Sequence, residues 1–290
     1  MPFTGVDFKN LLDIKTDMAY TGYFSPPQVQ VIVREAITKS VEIKVATNDR
    51  IQVQDDLFGI FKTNQVYVPS TNTVSLVVGG AGITDYHHAM NVKAKFVVPL
   101  TGNYIETATN TNPVRIGLRK HSNLRTGEAV LIQGVTTNTN ANGTRYLKRL
   151  KNNLYELYSD MNLLTPVVGN GNYVGSVGSI SRIDYNTAYD MKSNRKFSTL
   201  DSPTTKDPYY EIADTVMKIY PLEWPCTEVS VDYVSVPTYI DITDNVVDLL
   251  GTYSQRFLDF ICDESAKLMG LYIRDLQLAN QSQSEITNQP

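Results

Sequence analysis

Apolar residues recur every three or four positions toward both ends of the chain and every second position between them. This pattern predicts helices flanking a β-rich middle. Near the start, PFTGVDFKNLLDIKTDMAYTG predicts a short helix that buries Phe8, Leu11, Leu12 and Ile14. Ser25 ahead of Pro26 and Pro27 has the form of an N-cap followed by proline in a first turn. The next run, QVQVIVREAITKSVEIKVAT, fits two periods. Val29, Ile32, Val33, Ala36, Ile37 and Val41 make a helical stripe, whereas Val41, Ile43 and Val45 alternate like a strand. The proline start favours helix. DDLFGIFK continues as helix or turn, with Leu57, Phe58, Ile60 and Phe61 directed inward.

Period two then takes over. QVYVPS, NTVSLVVGG, HHAMNVKAKFVVPL and PVRIGLRK read as strands, the third with Met90, Val92, Ala94 and Phe96 on one face. Glu128 to Gln133, Tyr146 to Leu150 and Leu154 to Tyr158 supply three more. Gly127, Gly134 and Gly143 fall where β turns need a permissive φ. The stretch from Asn186 to Pro208 is polar enough for a linker or a long surface loop. Strand character returns in DTVMKIYPLEW and CTEVSVDYVSVP. In the latter, Val229, Val231 and Tyr233 share one face and Val234 and Val236 the other, so both faces are expected to be covered. The last helix is expected to start from a cap on Asp244. It carries Val246, Leu249, Leu250, Tyr253, Phe257, Phe260, Ile261, Leu268, Leu271 and Tyr272, with Gly270 as a place for a kink. A polar tail, ANQSQSEITNQP, follows.

The fold class is therefore α+β: N- and C-terminal helices packed with an antiparallel β core, with a second β unit inserted, which the resemblance given below implies is a small β-barrel. The expected division is residues 1–112 and 184–281 for the helical and β body, 113–183 for the inserted unit and 282–290 for the tail.

Composition narrows the function classes. Of the 290 residues, 42% are hydrophobic and 19% charged, which supplies a core and argues against wholesale disorder. Net charge is −4, and the basic cluster Arg145, Lys148, Arg149 and Lys151 reads as a solvated strand face. That disfavours sequence-specific reading of nucleic acid. A wall past which DNA merely moves is compatible with the balance, because such a wall should not grip phosphates. Cys226 and Cys262 lack a short spacing, so free buried thiols are expected ahead of a disulfide. No cationic leader with an apolar run is visible, and no apolar stretch nears the roughly 20 residues of a membrane span. A soluble protein made in the cytosol is expected.

Candidate chemistry adds little. His87 and His88 are adjacent, so on a strand their rings point to opposite faces and cannot share a metal. His121 reads as a hydrogen-bonder in a turn. GGAGITD lacks the Lys-Ser/Thr ending of a phosphate loop, and GNGNYVGSVG is one residue too long for the dinucleotide fingerprint and precedes a strand. GSVGS misplaces its serine for a nucleophile elbow. Asp55 and Asp56 read as turn formers, and Asp263 and Glu264 as the outer side of a helix. No catalytic, cofactor-binding or metal-ligating residue is nominated, and neither an enzyme nor a cofactor is expected.

KHSNLRTGEAVLIQGVTTNTNANGTRYLKRLKNNLYELYSD carries His121, Leu124, Thr126, Gly127, Gly134, Val135, Asn142 and Gly143, and ends in Tyr155-Glu156-Leu157. It resembles the small β-barrel module that recurs in bacteriophage tail and neck proteins. The later segment, MKIYPLEWPCTEVSVDYVSVPTYIDITDNVVDLLGTYSQRFLDFICDESAKLMG, resembles the closing part of phage head-to-tail connector proteins. There a strand ending in Tyr-x-x-x-Pro leads through an Asp-rich turn to a long helix. Tyr233 and Pro237 fill those places, and Phe257, Ile261 and Leu268 line the helix. DYHHAMNVKAKF is similar to strands in ring proteins of short-tailed, crAss-like phages.

The resemblance implies a virion neck ring or adaptor made in the host cytoplasm. It implies a homo-oligomer, dodecameric to match a portal, stacked between the portal and adjacent neck or tail ring proteins. Packaged DNA would pass through without sequence-specific binding. Candidate interface residues are Tyr253, Phe257, Ile261, Leu268 and Tyr272 on the last helix and Asn280 in the tail, together with the loop from Asn186 to Pro208. The alternative is a β module that binds glycan or a host surface through its Thr/Asn-rich tip and exposed Tyr155, Tyr158 and Tyr173.

Overall fold

The computed structural model describes residues 2–16, 24–47, 49–77, 82–191 and 203–287, with side chains to 277 in the last stretch. The architecture is mixed α+β, with four α-helices and twelve strands among the described residues. The chain divides into two compact units: Met1–Asn64 with Asp85–Met90 and Asp232–Pro290, and Gln65–Thr84 with Asn91–Val231.

In the first unit, α1 (Gly5–Lys15) starts from a capping box between Thr4 and Asp7. Phe8 and Leu12 are fully buried, but Ile14 is 73% exposed, because two residues beyond Leu12 the helix has turned to its solvent side. Helix α2 (Pro26–Thr47) runs unbroken through Val41, Ile43 and Val45, so the three-four stripe prevails over the alternation. Its start is tightened by Gln28, whose Oε1 accepts from the Ser25 N–H and hydroxyl. Helix α3 (Arg50–Asp56) is capped by Asp49. Asp56 is no exposed turn former: it is buried, takes a hydrogen bond from Lys44 Nζ at 2.8 Å and another from Ser254 Oγ at 2.9 Å. Leu57, Ile60 and Phe61 are buried as expected, while Phe58 turns outward.

Helix α4 (Gln255–Thr287) begins later than a cap on Asp244 would place it. Ser254 Oγ accepts from the Phe257 N–H at 3.1 Å and caps it instead. Asp244 tightens a separate turn by accepting from the N–H groups of Val246 and Val247 at 2.7 and 3.2 Å. The helix passes Gly270 without a break and continues through the residues expected to form the start of the tail. Leu271 is exposed, and Glu264, expected on the outer side, is buried between Lys39 and Lys267. Phe8, Leu12, Val33, Ile37, Leu57, Phe257 and Ile261 share one core.

The strands are β1 (Phe61–Tyr67), β2 (Thr73–Ser75), β3 (Tyr86–Pro99), β4 (Ile105–Ala108), β5 (Arg115–Leu118), β6 (Ala129–Gln133), β7 (Gly143–Lys151), β8 (Leu154–Tyr158), β9 (Tyr173–Asp190), β10 (Tyr209–Ala213), β11 (Val216–Tyr220) and β12 (Cys226–Ser235). Strands β1, β3 and β12 contribute residues to both units. On β3, Val92, Ala94 and Phe96 are buried and Met90 half-buried; on β12, both faces are covered from Val229 to Ser235, and Val236 beyond it is exposed.

Six strands close on themselves in the order β4-β5-β8-β7-β6-β9. Closure depends on the length of β9. Residues Tyr173 to Gly178 pair with β4, and Ser179 to Arg182 pair with β6, so one strand seals both edges. The barrel thus includes β4, ahead of residue 113, and β9 continues to Asp190 in a stretch expected to be loop. Residues 192–202 of that loop lie outside the described residues. Ile105, Ile116, Val130, Ile132, Leu147, Tyr155 and Ile180 fill the barrel. Both cysteines are free and buried, and burial pushes Cys226 up to about 11 and Cys262 up to about 12, so neither is a ready thiolate.

Candidate docking surface

Two regions hold the candidates: the tip of the barrel hairpin and the solvent-exposed side of the helical unit. At the tip, the side chains that look chemically idle in sequence are hydrogen-bonded into the barrel. Asn142 accepts from the Val135 N–H at 3.0 Å and donates to the Val135 carbonyl at 2.8 Å, which lets one amide act as a strand partner across the hairpin base. Fully buried Asn138 donates to the Thr109 carbonyl at 2.8 Å, and Asn140 donates to the Val168 carbonyl at 2.9 Å. Arg145 closes the tip by donating to the Asn140 carbonyl at 2.7 Å.

The tyrosines expected to be exposed there are not. Tyr155, Tyr158 and Tyr173 are all buried. The Tyr155 hydroxyl meets Ser122 Oγ at 2.7 Å, and that of Tyr173 accepts from the N–H groups of Val177 and Gly178 at 3.1 and 2.9 Å. The rings of Tyr155 and Tyr173 belong to the barrel core and Tyr158 is also buried, so stacking on a sugar is closed to them. His87 is half-buried beside Glu42, and burial lowers its pKa from the ordinary value.

On the helical unit, α2 and α4 leave an apolar groove of about 500 Å³ lined by Phe24, Pro27, Val31, Ile32, Tyr272 and Leu276. Val31 is 62% exposed and Leu276 53%. Tyr272 donates to Glu35 Oε2 at 2.8 Å; that bond raises the phenol pKa and pins the ring at the rim. A second feature is the turn of residues 241–248, whose tip exposes Val246 at 79% and Val247 at 54%. Three hydrogen bonds hold it in place: Phe3 N–H to Asp248 Oδ1, Val6 N–H to the Asp244 carbonyl and Ile242 N–H to Gln30 Oε1, each at 3.0 Å. Bonds from Thr243 keep the Asp241 carboxyl below its ordinary range. Gln30 and Arg34 border the turn, Val31 and Ile32 border the groove and Pro27 lines both, so the two features adjoin on neighbouring flanks of α2.

No protein-family model matches the chain, and no curated protein matches it.

The expected interface residues separate sharply. Tyr253, Phe257 and Ile261 have no exposed surface and Leu268 only 7%, so they belong to the core of the helical unit and offer a neighbour nothing directly. Tyr272 lies at the groove. Asn280 is on α4, its side chain outside the described residues. Val31, Leu276, Val246 and Val247 were missed. A signal for Val31 exists: it is the apolar position in α2 that falls off the stripe of Val29, Ile32, Val33 and Ala36.

Proposed function

We propose that this chain is a structural virion protein, one subunit of a ring in the neck of a short-tailed, crAss-like phage. In that role it joins portal to tail and surrounds the DNA exit channel. The observation that carries the reading is the pair of unlike apolar features on neighbouring flanks of α2, one concave and one convex. A ring closes through heterologous contacts, in which every subunit presents one patch and receives on another; a two-fold dimer needs a single self-complementary patch. The groove and the Val246–Val247 turn fit the first requirement.

Two further points support it. The two stretches of sequence that resemble phage barrel modules and connector proteins include the barrel hairpin and the first part of α4, to Gly270. The barrel, being closed, offers no edge along its six-strand circuit for unwanted strand pairing, which suits a part held at high local concentration. The first partner is another copy of the chain, in a dodecamer by resemblance to portal-matched rings. Portal and neighbouring ring proteins follow, and DNA passes a wall of modest negative charge without sequence-specific contact. In this role the chain performs no catalysis and needs no cofactor.

Leu276→Asp and Val247→Asp test the arrangement, since both positions are exposed and neither change should disturb folding. Each variant alone should fail to form rings. An equimolar mixture should form a dimer, because one intact groove-side face can still meet one intact turn-side face. Rings that survive both substitutions, or a mixture that stays monomeric, would contradict the heterologous arrangement.

A further inference from the structure

We infer that a polar pocket on the barrel unit is a binding site for phosphate groups. It has a volume of about 460 Å³ and is lined by Asn123, Arg125, Glu128, Arg149, Arg182 and Lys206. None of these is apolar, and four cations face one carboxylate in a protein whose net charge is −4. The residues come from the loop before β6, from β7, from β9 and from the segment before β10, so only the fold assembles them. Pairing of Val130 with Arg182 sets β9 beside β6, and the Arg149 N–H donates to Thr126 Oγ1 at 3.1 Å, tying β7 to the loop. The inference rests on this unit alone and does not depend on the ring.

The carboxylate offsets only one of the four cations: Glu128 Oε2 forms an ion pair with Arg182 Nε at 3.8 Å, too long for a hydrogen bond. Both atoms are buried, and neither has a hydrogen-bond partner among the described residues. An orphaned donor beside three further cations is a polar demand that an oxyanion with several acceptor oxygens meets. The guanidinium groups of Arg125, Arg149 and Arg182 offer planar, forked donors from separate elements, and Lys206 adds a point charge. A tetrahedral phosphate presents oxygens in several directions at once and can use donors from all these elements; a planar carboxylate presents two. The phosphate can belong to a nucleic-acid backbone or to a free polyphosphate. Arg149, which in sequence belongs to a solvated basic run, lines the pocket while one guanidinium nitrogen donates to Asn152 Oδ1, whereas Arg145 and Lys148 are outside it, engaged with the Asn140 carbonyl and with Glu156.

The test uses the full chain with two probes, a short single-stranded oligonucleotide and inorganic tripolyphosphate, at near-physiological salt. Binding of the oligonucleotide alone assigns the site to nucleic acid, and binding of tripolyphosphate, with or without the oligonucleotide, assigns it to phosphate as such. In either case the double variant Arg125→Ser/Arg149→Ser should weaken binding roughly tenfold or more and flatten the salt dependence by about one unit of slope per arginine removed. Glu128→Gln should strengthen it. Arg256→Ser, outside the pocket, should change nothing, and an unaltered melting temperature confirms that the double variant folds. Failure of both probes to bind the wild-type chain overturns the inference. So does a loss on Arg256→Ser as large as that of the double variant.

Discussion

Asn138 is the residue whose role is hardest to guess from its neighbours in sequence. It sits in a run of threonine, asparagine and alanine, yet it is fully buried and holds the Thr109 carbonyl. Asn138→Ala should therefore cost about 1–3 kcal/mol, the penalty of a buried polar group left without its partner. Thr136→Ala, at an exposed position of the same tip, should stay within about 0.5 kcal/mol. Paired thermal melts measure both, and equal effects would show that the tip is merely a spacer. The sequence displays the asparagines but not Thr109 and Val168, which reach them only after the barrel closes. His87 supplies a pH dependence with a definite sign. Burial lowers its pKa below the ordinary 6.5, against an opposing pull from Glu42. The unfolded chain therefore takes up the proton first, and stability should fall as pH drops below 6.5 toward the folded value. His87→Gln should remove that part of the slope in urea unfolding. Asp7 and Asp160, whose carboxyls are lowered by hydrogen bonds, act in another window: the stability they add is present above 3.8 and is lost below it.

At the scale of elements, the closed barrel rests on turns that only certain residues can make. Gly134 has φ +78°, and a Cβ there would lie 2.7 Å from the Val177 carbonyl oxygen. Gly134→Ala should destabilise the protein by about 1–3 kcal/mol from backbone strain alone, with the clash adding to it. An unchanged melting temperature would mean that the β6 end is not fixed as described. This glycine, with Gly127 and Gly143, was legible in sequence, and all three have positive φ. The strands β4 and β10 were not. Ile105–Ala108 offers two apolar residues in four, too short a run to show a period, and it is identified as a strand by β5 and β9 on either side of it. The long helices were legible because their stripes extend over several turns. The start of α4 was misplaced because Asp244 is a good cap whichever turn it serves, and the chain uses it for the turn that presents Val246 and Val247.

For the whole molecule, sequence patterning yields the mixed α+β class and an inserted β unit, and the resemblance to phage modules is what points to a barrel. Patterning does not reveal which apolar residues stay exposed. Tyr253, Phe257 and Ile261 belong to the strongest helical stripe, and a strong stripe is first of all a core. The residues proposed for docking are the apolar ones that stay exposed once the core is drawn: Val31, Val247 and Leu276 off the stripes, and Val246 and Tyr272, which the expected stripe of the last helix includes. The division of labour proposed is a barrel whose polar tip is knit into its own structure and a helical unit that would meet neighbouring copies. The most direct test is a native mass determination of the chain isolated from its own biological setting, together with whatever accompanies it. The account predicts an assembly of many equal copies of the 32.4 kDa chain bound to a portal-like protein, reduced to single subunits by Leu276→Asp. A two-fold dimer, or a lone subunit with no portal-like companion, would contradict it.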